Sequence, residues 1–141
     1  MKKYFLIGLL WISPVAFAQE QNFWQVLAQV GFENKKDKNG YDVEVPVFSK
    51  HLKTFHGKKI RLKGYIIPLE EMGGQGKFML SSLPFNLCYF CGAAGPETVV
   101  EVDAVDKVKF TTKQIVMEGT LILNDKDPNH HMYLLKSAIL I

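Results

Sequence analysis

The only two cysteines of this chain, Cys88 and Cys91, stand four positions apart in Asn86-Leu87-Cys88-Tyr89-Phe90-Cys91-Gly92-Ala93-Ala94-Gly95-Pro96. Two thiols at C-x-x-C spacing can clamp a soft metal, cycle between dithiol and disulfide, or form a small staple. A structural zinc site needs about four ligands, and this pair supplies two. Backbone N–H groups of the Gly92–Gly95 turn are expected to hydrogen-bond the sulfurs and favour thiolate. His130 and His131 are the candidates for the missing ligands. Consecutive residues entering a strand face opposite ways, so one of the two is expected at the thiols, with His131 preferred. Zinc is the first expected metal and copper(I) the second.

Two rival readings use the same cysteines. Thioredoxin-type enzymes place C-x-x-C at a helix N-terminus within a βαβ unit. Gly92, Gly95 and Pro96 stop any such helix, and a strand-like run follows at Thr98–Val102. A local disulfide closes so short a loop that it constrains the unfolded chain by only roughly 2 kcal/mol. In that case the barrel is an adaptor for a protein partner. No Ser/His/Asp set is recognisable, and Glu70-Glu71 shows no sign of a partner acid or base, so no enzyme chemistry is expected. Gly76-Lys77 is no phosphate loop, because Glu71 stands where the first glycine belongs and no Ser or Thr follows the lysine.

The elements that must position this loop fill a chain of 141 residues, one domain's worth. Residues 1–18 read as a signal peptide. Lys2-Lys3 is the positive n-region, Tyr4–Ile12 the apolar stretch, and Ala16-Phe17-Ala18 the cleavage site. The apolar run is shorter than the about 20 residues a membrane span needs, so no span is expected in the mature chain. The protein is therefore expected to be exported, to the periplasm in a two-membrane bacterium. Without Lys2 and Lys3 the basic count falls from 17 to 15 against 14 acids, a formal charge of about +1. That is no footprint for nucleic acid.

Residues 19–56 read as an N-terminal helix and an extended arm. Phe23, Val26, Leu27 and Val30 share one helical face, with Asn22 as N-cap and Gly31 as stop. Glu33–Gly40 reads as a polar loop. Tyr41–Val47 alternates like a strand, with Pro46 confining it to an edge. Ser49–His56 reads as a helical turn closed by Gly57. Residues 57–141 read as five strands: Lys58–Leu69, Lys77–Leu83, Thr98–Val105, Ile115–Leu123 and Met132–Ile141. Met72–Gly76 forms a hairpin loop and Asn124–His130 a turn. Ile60, Leu62, Gly64 and Ile66 are expected inside, with Gly64 at a sharp bend. Five strands predict a mainly β, OB-like barrel, with the N-terminal helix plugging one end. A β-sandwich usually needs about seven strands.

Gly57–Leu69, Phe78–Ser81 and the Cys88 segment running into Val99–Val102 resemble an uncharacterised family of small exported bacterial proteins, DUF3299. The resemblance covers about Val47 to Ile141. It implies an OB-type barrel, a membrane transporter system or another envelope protein as partner, and a link to metal handling. The family loop has a cysteine, a histidine two positions on and a run of prolines. Here Cys88 matches, Phe90 takes the histidine position, Cys91 follows it, and Gly92–Pro96 replaces the prolines. The resemblance thus implies exchange of a C-x-H pair for a C-x-x-C pair, or a shared loop shape only.

Overall fold

Gly64 is the corner on which the barrel turns. In this computed structural model, which describes residues 22–69 and 75–141, strand β3 (Lys59–Pro68) serves two neighbours. Its first half, Lys59–Gly64, pairs with β6 (Ile115–Leu123), and Tyr65–Pro68 pairs with β4 (Gln75–Ser81). A Cβ at Gly64 would run into the Ser81 carbonyl oxygen, well inside van der Waals contact. The bend brings two backbones together where only glycine fits.

From that corner the strands close in the order β3-β4-β5-β7-β6, with β5 at Val99–Val108 and β7 at Tyr133–Leu140. All neighbours are antiparallel except β5 and β7. The last strand inserts beside the third, giving the five-stranded Greek-key barrel of an OB-like fold. The interior follows the expected alternation: Ile60, Leu62 and Ile66 of β3, Phe78 and Leu80 of β4, Val100 and Val102 of β5, Met117 and Leu121 of β6, and Leu135 of β7 form one buried cluster. The third strand runs three residues beyond the expected Val105.

The N-terminal part differs from its expected form. The helix α1 spans only Phe23–Leu27, and Val30-Gly31 already belong to strand β1 (Val30–Lys36). β1 pairs with β2 (Asp42–Phe48) as a separate two-stranded ribbon, so residues 33–36 are strand and the turn is confined to Asp37–Gly40. Tertiary contacts decide the helix end. In a longer helix the Leu27 carbonyl would accept from the Gly31 N–H. Here the buried Tyr133 hydroxyl donates to it at 2.6 Å, and Gly31 lies opposite Val47 in the ribbon. Asn22 is the N-cap, its side chain accepting from the Trp24 N–H at 3.3 Å.

Helix α1 packs against β3 and the turn just before β5, and its carbonyl meets the first residue of β7. It therefore lies at the end where β5 and β7 begin. Val26 and Leu27, with Phe48 and with Leu52 of the short helix α2 (Lys50–Lys53), join the barrel's own core. The Trp24 indole N–H donates to the Lys63 carbonyl at 2.8 Å, beside the Gly64 corner. Among the described residues no helix is long and apolar enough to cross a membrane. The expected signal peptide, and residues 70–74 of the hairpin loop, lie outside the described residues.

Candidate functional site: the cysteine loop

The loop between β4 and β5 is built from three 3-10 turns, Phe85–Leu87, Tyr89–Cys91 and Pro96–Thr98. The Ser81 hydroxyl accepts from the Leu83 N–H at 3.1 Å and starts the departure from β4. The Leu87 N–H donates to the Pro84 carbonyl at 2.9 Å and closes the first turn. Gly92, at φ +74°, ends the second turn in the left-handed region that glycine adopts without penalty. At the neck, the Ser82 N–H donates to the Thr98 carbonyl at 2.9 Å, and Thr98 Oγ1 donates to the Gly95 carbonyl at 2.7 Å.

This folding separates the two cysteines by environment while keeping them in contact. Cys88, extended between the first two turns, is fully buried at 0% exposure. It packs with Ile67, Met79 and Val99, an apolar patch distinct from the barrel interior. These residues alternate with the inward Ile66, Phe78, Leu80 and Val100, so the patch lies on the outer face of β3, β4 and β5. Cys91 is exposed, and both thiols are free. The Cys91 thiol donates to the Phe85 carbonyl at 2.9 Å and lies within hydrogen-bonding reach of the Cys88 sulfur.

The setting keeps Cys91 protonated. Partial desolvation in the loop raises its pKa first, and the hydrogen bond and charge of Cys88 raise it further. A reactive thiol of the thioredoxin type needs the opposite, a pKa lowered by a helix N-terminus or a nearby cation. Cys91 instead closes a three-residue turn.

The two histidines diverge, as consecutive residues before a strand should. His131 Nε2 lies 2.9 Å from the Pro96 carbonyl oxygen, and its ring stands near those of Tyr89 and Tyr133. Burial lowers its pKa, and the Pro96 and Val99 carbonyls and the Glu101 charge oppose that only in part. A neutral ring donates Nε2–H to Pro96. His130 Nδ1 pairs with Glu101 Oε1 at 2.8 Å, while Glu101 Oε2 accepts the His131 backbone N–H at 3.0 Å. Both rings therefore have other partners than the thiols. Among the described residues no three His, Cys, Asp or Glu side chains group as metal ligands would.

Glu101 and the Pro96 carbonyl, which fix the histidines, were not expected from the sequence. The available signal for Glu101 was a carboxylate set between Val100 and Val102, on the face opposite theirs. The patch under Cys88 had a fainter one: Ile67 falls on the face of β3 that also carries Arg61, Lys63 and Tyr65.

No family model matches the sequence, and no curated protein matches it. Among solved structures, the chain is similar to the crystal structure of a DUF3299 family protein from Pseudomonas aeruginosa PAO1, with 19% sequence identity, 76% of this chain and 70% of that chain covered, and a TM-score of 0.49. The family so described is the one that the Gly57–Leu69 and Cys88 segments resemble.

Proposed function

We propose that this chain is a small exported binding protein whose Cys88–Cys91 pair is a soft-metal site, suited to copper(I) ahead of zinc. The observation carrying this is the contact between the two thiols with no third ligating group beside them among the described residues. Zinc seeks four ligands. Filling that set with the two expected histidines would require both His131 to leave Pro96 and His130 to leave Glu101. Copper(I) favours thiolates and is content with two sulfurs in a near-linear arrangement. The apolar wall of Ile67, Met79 and Val99 behind Cys88 keeps water from one side of the pair.

Both thiols must lose their protons to bind metal, so binding strengthens as pH rises. The setting that the family resemblance implies, a membrane transporter system or other envelope partner, is part of this proposal. The competing thiol–disulfide and disulfide-stapled adaptor readings rest on the same contact, and one experiment separates them. Protein purified without chelator and reduced anaerobically is titrated with copper(I) against a competing chelator. One copper(I) per chain is expected, lost in Cys91→Ser, with zinc bound more weakly. A pair that isolates as a disulfide and takes up no copper(I) after reduction overturns the proposal.

A further inference from the structure

The two thiols do not share the work equally. Resting on the copper(I) reading above, we infer that Cys91 is the exchanging ligand, through which the ion enters and leaves, and Cys88 the retaining one. The acceptor or donor class is a second thiolate-bearing carrier. Three observations converge on this division. Cys88 is fully buried, packed on Ile67, Met79 and Val99 with the Cys91 thiol at its sulfur, so an incoming ligand does not meet that sulfur from solvent. Cys91 is exposed, and among the described residues its thiol is held by the carbonyl of Phe85 and by Cys88. The turn that carries Cys91 ends at Gly92 in the left-handed region, so Cys91 sits at the end of a short turn, whereas Cys88 is extended between two turns.

Transfer then runs in a fixed order. The acceptor sulfur bonds to copper while Cys88 still holds it, the bond from copper to Cys91 Sγ breaks, and the proton released by the acceptor thiol goes to the Cys91 thiolate. A second acceptor sulfur displaces Cys88, which is protonated in the same way. Copper stays in the +1 state throughout. No charged residue occurs from Phe78 to Pro96, and Phe85, Leu87, Tyr89 and Phe90 are exposed around Cys91. The loop's one carboxylate, Glu97, stands in its third turn against Gly95, so charge at the loop steers the encounter with a carrier only weakly, and the rate of transfer is expected to vary little with ionic strength.

The test compares uptake and release. Copper(I) is supplied as its coloured bicinchoninate complex and followed by stopped flow for the wild type, Cys91→Ser and Cys88→Ala. Cys91→Ser should lose uptake by about tenfold or more, whereas Cys88→Ala should keep its uptake rate and release the ion about tenfold faster. Equal loss of uptake in both variants, or a larger loss in Cys88→Ala, overturns the inference. Iodoacetamide labelling of the reduced apoprotein supplies an arm independent of copper. Cys91 should react well before Cys88 in the native protein and at a similar rate in denaturant. Equal native rates overturn the division of roles whatever the metal result. A wild type that binds no copper(I) while labelling Cys91 first removes the copper reading, and the exchange order with it, but leaves the asymmetry of the thiols standing.

Discussion

The ring of His131 hydrogen-bonds the Pro96 carbonyl at 2.9 Å. The residue with the strongest sequence case for a third metal ligand therefore fastens the far end of the cysteine loop to the approach of β7. The Glu101 carboxylate, gripping the His131 backbone N–H and the His130 ring, fixes the same corner from β5.

That latch makes stability depend on pH. Burial holds the His131 pKa below its ordinary 6.5, so the unfolded chain takes up this proton at higher pH than the folded one. The contribution is complete above about 6.5, declines as pH falls through that value toward the folded pKa, and levels off below it. Urea midpoints measured from about pH 8 to about pH 5 should fall more steeply for the wild type than for His131→Gln. Parallel slopes would show that the ring does not titrate with folding.

Cys88 also has a packing role that is separable from any metal. Its sulfur fills the patch of Ile67, Met79 and Val99, where a thiol behaves as a small hydrophobe. Cys88→Ser places a hydroxyl there and should cost about 1–3 kcal/mol. Cys88→Ala should cost less, because it buries no polar group. Chemical denaturation checks the order, and a serine variant more stable than the alanine one would contradict the packing.

A buried hydroxyl fixes the last turn of the N-terminal helix. Tyr133 donates to the Leu27 carbonyl at 2.6 Å within the core. Tyr133→Phe leaves that carbonyl without its partner and should lower stability by about 1–3 kcal/mol. Amide exchange should rise first in residues 23–30 if the hydroxyl anchors the helix. A uniform rise across the barrel would assign it another role.

Gly64→Ala should damage the barrel more than a methyl group's size suggests. Its Cβ would meet the Ser81 carbonyl, a backbone atom that cannot swing aside. Overpacking of this kind costs about 1–3 kcal/mol, and the shift in urea midpoint measures it. An unchanged midpoint would mean that β3 and β4 approach less closely at this corner.

Much of this architecture is legible in the sequence. The alternation of Ile60, Leu62, Gly64 and Ile66 marks the inner face of β3, and Ile115–Leu123 is a strand with the bounds its pattern gives. Local periodicity works there because each strand buries one face. It fails at Val30, where the helical spacing continues but the Tyr133 hydroxyl and the pairing with Phe48 end the helix early. It fails again at Glu33–Lys36, whose polar residues form a strand exposed along its whole length, with no buried face to betray it. The cysteine pair was visible from spacing alone. The separation of Cys88 from Cys91 by burial was not, since it depends on Ile67, Met79 and Val99 from three different strands. Nor was the diversion of His130 and His131, because Glu101 and Pro96 are about 30 residues away in the chain.

The central claim is a two-sulfur site, and X-ray absorption at the copper edge of the copper(I)-loaded protein tests it most directly. Two sulfur scatterers and no nitrogen are expected, with the spectrum unchanged in His131→Gln. An imidazole contribution that disappears in His131→Gln or in a His130 variant would contradict it. The histidines would then have left Pro96 or Glu101 to complete a larger ligand set.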